Sequence, residues 1–321
     1  MQVIRGLHNL RAEHQGCVAT IGNFDGVHLG HQAVFGHLRE KALQFGLPAT
    51  VITFEPQSQE FFAPEKAPAR LTRMREKLHA ISNAGIDRVV LLEFNHKLAA
   101  MSAEEFVQRL LVEGLGIRYL FVGDDFRFGR RRAGDIELLR RVGEKQLFEV
   151  ENMNTFVVGD ERVSSTSIRA LLAAGDLHQA AYYLGRPYRI CGRVAHGDAR
   201  GRTIGFPTAN INLHRKVSPL SGVYAVSVSG LGEASVQGVA NIGTRPTVKE
   251  DRRYLLEVHL FDFQRDIYGA HVEVEFRIKL RDEKRFDSFD QLRQQIELDS
   301  QTAREFFLTD DFNLKQQSDH T

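Results

Sequence analysis

Two histidines three residues apart, His28 and His31, stand in a stretch where glycine recurs every fourth residue, at Gly22, Gly26 and Gly30. Glycine lets backbone approach a ligand closely, and a helix opening here would turn unpaired amides and the positive end of its dipole toward an anion. Phosphate is the natural guest. The run Thr20-Ile21-Gly22-Asn23-Phe24-Asp25-Gly26-Val27-His28-Leu29-Gly30-His31 is neither a dinucleotide fingerprint nor a P-loop, and the histidine pair replaces the P-loop lysine. Two other readings compete. Zinc would need three or four ligands, and His37 lies too far along the helix to share the face of the pair. A surface pair on a Gly-rich turn would be chemically idle.

A second stretch dense in chemistry runs from His196 to Asn210. Gly201, Arg202 and Gly205 fall in a cationic, glycine-rich loop suited to covering a phosphate. Thr208 and Asn210 are two apart on what should be extended chain, so their side-chain oxygens face the same way. A hydroxyl and an amide carbonyl are hard neutral donors that suit Mg2+, with water and nucleotide oxygens completing its shell. Taken alone, Thr-x-Asn equally suits the bracing of a turn after Pro207.

The elements that must carry these residues change character midway. Before Gly185, apolar runs (Val18 to Ile21, Thr50 to Phe54, Arg88 to Leu92, Tyr119 to Val122, Phe148 to Glu151) alternate with stretches of helical period (Gln32 to Phe45, Arg70 to Ala84, Ala103 to Glu113, Asp135 to Val142). That alternation predicts a parallel sheet with crossover helices. Ser102 and Glu105 have capping-box spacing at the third helix, and Ser164 to Gly175 reads as one more helix with its own start and stop. From Tyr188 the period becomes two, in strands at Tyr188 to Val194, Val223 to Val228, Ser235 to Ile242, Tyr254 to Phe261 and Val272 to Leu280. This predicts an antiparallel barrel or sandwich, with a helix at Phe289 to Phe307 against it and a frayed polar tail after Asp311.

The chain has 321 residues, which suggests two domains, and 42 basic against 41 acidic side chains, so no global field draws it to nucleic acid or an anionic membrane. The run Arg130-Arg131-Arg132 therefore reads as a solvated loop rather than an RNA patch. Two distant cysteines, Cys17 and Cys191, exclude a disulfide framework, and the charged start MQVIRGLHNLRAEHQG lacks the apolar stretch of a signal peptide. Apolar runs such as Val89 to Leu92 are far too short to span a bilayer. The expectation is a cytoplasmic protein.

With these residues in view, Gly22 to His31 is similar to the HxGH-type signature of the nucleotidyltransferase superfamily. Together with Phe54-Glu55-Pro56 it resembles the bacterial bifunctional riboflavin kinase/FMN adenylyltransferases, and the resemblance runs from about Cys17 to Phe307. It implies a Rossmann-like α/β adenylyltransferase domain over 1–183 and an all-β split-barrel kinase domain with a C-terminal helix over 184–321. In the first, Gly22, Asn23, Phe24, Asp25, Gly26 and Gly30 would cradle ATP phosphates, and His28 and His31 would stabilise them in the transition state. Ser164, Ser165 and Thr166 supply hydroxyls at a second helix start, with Arg169 one turn in as a charge clamp. Asp125, Phe126 and Phe128 match a flavin-holding loop in which many relatives have Asn at the Asp125 position, and Pro56-Gln57-Ser58 stands where Pro-His-Pro is common.

In the second domain, Gly205-Phe206-Pro207-Thr208-Ala209-Asn210 and Gly238 to Thr247 resemble riboflavin kinase signatures. The resemblance assigns Gly201, Arg202 and Gly205 to ATP, Thr208 and Asn210 to Mg2+, Glu257 to the base for the ribityl hydroxyl, and Arg281 to flavin. Alternation agrees for Glu257, since Leu256, Val258 and Leu260 take the other strand face. The implied substrates are riboflavin, FMN and ATP, with no nucleic-acid or membrane partner and a monomer or weak homo-oligomer.

Overall fold

The computed structural model describes residues 1–153, 157–158, 161–196, 205–213, 217–245 and 253–318. Strands rich in apolar residues on both faces call for helices on both sides, and the first half of the chain meets that demand. β1 (Gln2–Arg5), β2 (Cys17–Ile21), β3 (Ala49–Glu55), β4 (Arg88–Glu93), β5 (Ile117–Gly123) and β6 (Glu149–Met153) form one parallel sheet in the order β1-β4-β3-β2-β5-β6. β1 was not foreseen: its four residues, only Ile4 of them buried, carry too little pattern, and the edge of β4 recruits them by backbone pairing.

The crossovers are α1 (Leu29–Phe45), α2 (Ser58–Phe62) with α3 (Met74–Asn83), α4 (His96–Ala100) with α5 (Ala103–Phe106), and α6 (Ile136–Gln146). α5 continues as a π-helical stretch, Val107–Gly114, and Ser102 caps it by accepting the Glu105 amide at 3.0 Å, as the capping-box spacing requires. α3 starts at Met74 rather than at the expected Arg70, because the Leu71 and Thr72 amides are held by the Asp25 carboxylate instead of entering a helix. Alternate strand residues feed two cores. Val18, Val51 and Val89 pack with Phe35, Leu38 and Ile81. Ala19, Ile52 and Val90 pack with Val107, Leu110 and Leu111 on the opposite face.

Connectivity decides where a ligand can sit. From β2 the chain builds β3 and β4 to one side, then crosses to lay β5 on the other, so the order reverses between β2 and β5. In open parallel sheets the crevice at such a reversal, beyond the carboxyl ends of the strands, is the binding place. The Gly22 to His31 loop leaves β2 there and the Asp125 to Phe128 loop leaves β5 there.

A short hairpin, β7 (Val157–Val158) with β8 (Glu161–Arg162), precedes α7 (Ser165–Ala174) and α8 (Leu177–Leu184). The chain divides into two compact units, Met1–Ser165 and Thr166–Thr321. In the second, β9 (Arg189–Ala195), β10 (Ala209–Asn212), β11 (Gly222–Ser229), β12 (Val236–Arg245), β13 (Arg253–Leu260) and β14 (His271–Arg281) close a barrel in the order β10-β13-β12-β11-β14-β9. Closure rests on a narrow seam, Asn210↔Ala195 and Ile211↔Val194. α8 groups with this unit, ahead of the boundary expected at 183/184. α9 (Phe289–Ser318) covers an outer face, where Ala303 and Phe307 meet Val223, Ala225 and Val239. The helix runs on to Ser318, past the point after Asp311 where fraying is expected.

Phe35 is fully buried where α1 meets the sheet and meets the Phe24 ring of the histidine loop at 5.0 Å, tilted by 54°. Phe35→Ala should lower the unfolding free energy of the first unit by about 3–5 kcal/mol, read by urea titration.

Candidate functional site

The loop after β2 is built against its own side chains. Gly22 donates to Ile52 O at 3.0 Å, and a Cβ at Gly22 would lie 2.9 Å from the Phe24 ring, so only glycine fits beneath that ring. Phe24 and Val27 have φ of 47° and 43°, a region costly for any side chain and most of all for a β-branched one. Both are buried, and packing holds them there. The result sets His28 as the N-cap of α1, with its ring stacked on His31 at 3.6 Å and 22°. Phe24 meets the His31 ring edge-on at 5.2 Å. Gly30 and His31 lie in the first turn of the 17-residue α1, where backbone amides lack helical partners.

Asp25 does something the sequence did not announce. Its carboxylate is turned inward, accepting the Leu71 and Thr72 amides at 2.9 Å each and the Thr72 hydroxyl at 3.1 Å, while Thr72 Oγ1 accepts the Gly26 amide at 2.9 Å. Its own carbonyl accepts the Ser165 hydroxyl at 3.0 Å, which ties the Ser164-Ser165 segment to the loop. Asn23 O accepts from Thr53 Oγ1 at 3.3 Å and from Lys77 Nζ at 2.7 Å. Lys77 is wholly buried, and burial pulls its ammonium below the ordinary lysine range, opposed chiefly by the charge of Asp25. Nearby Arg70 forms a two-pronged pair with Glu55 at 2.9 Å and bonds Glu60 at 2.5 Å, fastening the end of β3 to the segment that presents Leu71 and Thr72.

After β5, Phe126 and Phe128 stack at 5.4 Å. Phe128 is buried against Phe106 and held by paired backbone bonds with Gly134, Phe126 is half-buried, and Asp125 is exposed, 4.0 Å from Arg162. Sequence reading missed an aromatic group at the carboxyl ends of β3 and β4. Phe54, Phe61, Phe62 and Phe94 have ring contacts of 5.2 to 5.9 Å, His96 meets Phe61 at 4.9 Å, and Phe62 is 67% exposed. The available signal was the Phe61-Phe62 pair inside an otherwise polar stretch. Arg169 lies one turn into α7 from Ser165; Thr166 and Arg169 group with the second unit.

In the barrel, pairing puts the expected residues in one lateral row. Asn210 is directly opposite Glu257, Glu257 opposite Asn241, Asn241 opposite Val223, and Val223 opposite Arg281. Opposed residues share a sheet face. Here it is the outer one, because Ile211, Leu256 and Val258 fill the interior. Asn210 is buried and Glu257 half-buried. Thr208 precedes β10 on a segment pinned by His259, whose Nδ1–H donates to Pro207 O at 3.0 Å and whose ring meets Phe206 at 5.2 Å. Neither Asn241 nor His259 was singled out from sequence; their place became visible only through register.

Arg281 is engaged. Its guanidinium grips Asp299 of α9 by three bonds of 2.8 to 3.1 Å. The Glu283 carboxylate lies against Gly243, where any Cβ would displace it. Burial raises its pKa; Arg281 opposes that and the charge of Glu257 adds to it. Gly205 is exposed with φ of 86°, and Gly201 and Arg202 lie outside the described residues.

Fold and residues together define a two-unit chain of the kind expected to handle phosphate, one unit with a glycine-rich loop and helix start at a sheet reversal, the other with an oxygen-donor and carboxylate row on a barrel. Comparison narrows the class. A family model described as FAD synthetase matches residues 10–167, and one described as riboflavin kinase matches residues 184–307. The bifunctional riboflavin kinase/FMN adenylyltransferase of Escherichia coli (strain K12) is 53% identical over 96% of this chain and 98% of its own length. Its counterpart in Haemophilus influenzae is 50% identical over 96% of this chain and 99% of its own. The chain belongs to the bifunctional riboflavin kinase/FMN adenylyltransferase family. A solved structure from Streptococcus pneumoniae, described as a macrolide-efflux protein, is 30% identical, covers 95% of this chain and 99% of its own, and superposes with a TM-score of 0.79. Among the described residues no helix is long and apolar enough to cross a membrane.

The inward bonds of Asp25 separate support from ligand contact. Asp25→Ala should cost the ligand-free protein about 2–3 kcal/mol by leaving buried donors unmet, measured by urea unfolding. A side chain that met only phosphate would leave that value unchanged.

Proposed function

We propose that the barrel transfers the γ-phosphoryl group of ATP to riboflavin and that the α/β unit transfers the adenylyl group of a second ATP to the FMN so made. The observation that carries this reading is the cross-strand pairing of Asn210 with Glu257, which sets a neutral oxygen donor beside a carboxylate on the outer face of the barrel. As the terminal ribityl hydroxyl attacks the γ-phosphorus and ADP leaves, Glu257 takes the hydroxyl proton. Thr208 and Asn210 fit Mg2+, being hard uncharged oxygens beside the base, with Asn210 held in place by burial. The ion, when bound, neutralises charge on the nucleotide oxygens. Gly201, Arg202 and Gly205 cover the phosphates, and Arg281 meets the flavin.

Adenylyl transfer asks for different help. A phosphate oxygen of FMN attacks the α-phosphorus and pyrophosphate leaves; the nucleophile is already ionised, so alignment and charge neutralisation suffice. The stacked His28 and His31, the first-turn amides of α1, and the Ser164, Ser165, Thr166 and Arg169 element supply donors. The Asp125 to Phe128 loop and exposed Phe62 offer the flavin ring its surfaces. We assign the adenylyltransferase to 1–183 and the kinase to 184–321, in a cytoplasmic monomer or weak homo-oligomer.

Chromatography of flavins made by the full chain tests both assignments. Glu257→Gln should cut FMN formation from riboflavin by about 100-fold or more while FAD formation from supplied FMN is kept. His31→Ala should do the reverse, lowering FAD formation about 100- to 1,000-fold, the usual cost of one preorganised donor. Loss of both activities in either variant would refute the separation of sites.

A further inference from the structure

α9 breaks its own pattern at one position. Ala303 and Phe307 lie four residues apart on its buried stripe, and Asp299, one turn earlier on that stripe, is only 5% exposed. A carboxylate at a position suited to an apolar side chain carries a desolvation cost. Its partners are Arg281, which donates from Nε at 2.9 and 3.1 Å and from Nη2 at 2.8 Å, and Gln295, whose Nε2 donates at 2.9 Å. Buried ion pairs of this kind commonly add nothing to stability over a packed apolar residue of similar size. Attachment of α9 does not require the pair either, since Phe307 and Ala303 already seal Val223, Ala225 and Val239. Local consistency broken without a gain in stability marks a position kept for function.

The consequence of the pair is geometric. Arg281 ends β14 in the row that carries Asn241, Glu257 and Asn210. Asp299 claims Nε and one hydrogen of Nη2, and Asp282 O takes one hydrogen of Nη1 at 2.9 Å. Among the described residues this leaves donor hydrogens on the terminal nitrogens, the outer end of the guanidinium fork, at a place fixed by Asp299. Phe286 lies 5.7 Å from the guanidinium and limits its swing. With its charge balanced by Asp299, the fork suits neutral oxygen and nitrogen acceptors of a planar heterocycle better than it suits a competing free anion.

We propose that Asp299 is a positioning residue for riboflavin phosphorylation, acting from α9 by holding the Arg281 fork where the flavin ring is received. This rests on the reading that Arg281 meets flavin, and the experiment separates the two. In the full-length protein, Arg281→Ala, Asp299→Leu and the double variant are compared for riboflavin KM, kcat and Tm, with Asp299→Asn as the milder change should the leucine variant not fold. Both single variants should raise riboflavin KM about tenfold, as loss of a charge-assisted hydrogen bond does, with kcat little changed. The double variant should be no worse than Arg281→Ala in KM, and it should recover the Tm that Asp299→Leu loses by leaving the Arg281 charge unpaired. If Arg281→Ala raises KM and Asp299→Leu does not, or if the two effects multiply, the positioning role is overturned while the flavin reading stands. If Arg281→Ala leaves KM unchanged, both fall. A fall in Tm of Asp299→Leu at unchanged KM assigns the pair to fold maintenance and overturns the proposal.

Discussion

Phosphate groups can be gripped only by donors already in place, since reorienting a loop around each arriving anion would consume the binding energy that catalysis needs. In the α/β unit the glycine loop proposed for that task is braced by Asp25. Its three accepted bonds join the glycine loop to the Leu71-Thr72 segment, and Thr72 returns a bond to Gly26. With the loop held from behind, the unfavourable φ values of Phe24 and Val27 can be maintained, and through them the stacked histidines. Lys77, bonded to Asn23 O from the interior, extends the same brace to the start of the loop. In the barrel the equivalent work is done by register: once β13 pairs with β10 and β12, Glu257 has no freedom to leave Asn210 and Asn241.

The parts of the fold that could be read in the sequence are those where burial imposes a period. The apolar runs of β2 to β5 and the alternation in β9 and β11 to β14 needed no knowledge of partners. What escaped depends on partners distant in sequence. β1 exists because β4 offers an edge, β10 because β13 and β9 receive it, and the late start of α3 because an aspartate 46 residues away in the chain competes for its amides.

The candidate sites divide along the same line. His28, His31, Thr208, Asn210 and Glu257 were legible from type and spacing or from resemblance; the first two lie at the start of α1, Asn210 and Glu257 on opposed strands, and Thr208 just before β10. Asp25 had been grouped with the phosphate cradle because it sits within the motif, yet its side chain faces the interior; a motif records which residues occur together, not which way each one points. Phe62 carries no motif signal, Asn241 and His259 lie in runs that resemble the family with no role of their own assigned, and Asp299 looks in sequence like one more charge on an amphipathic helix.

The direction of Asp25 also bears on how one polypeptide serves two nucleophiles. A ribityl hydroxyl must lose its proton as it attacks, and under the proposed assignment Glu257, paired across from Asn210, is the acceptor. The phosphate of FMN has no such proton, and a free carboxylate beside it would add repulsion where neutralisation is wanted. The acid of the histidine loop is turned inward and occupied by amides. The Glu55 and Glu60 carboxylates behind it are spent on Arg70. The same side-chain type is thus presented in one unit and withdrawn in the other, and the difference follows from the charge of the nucleophile each must admit.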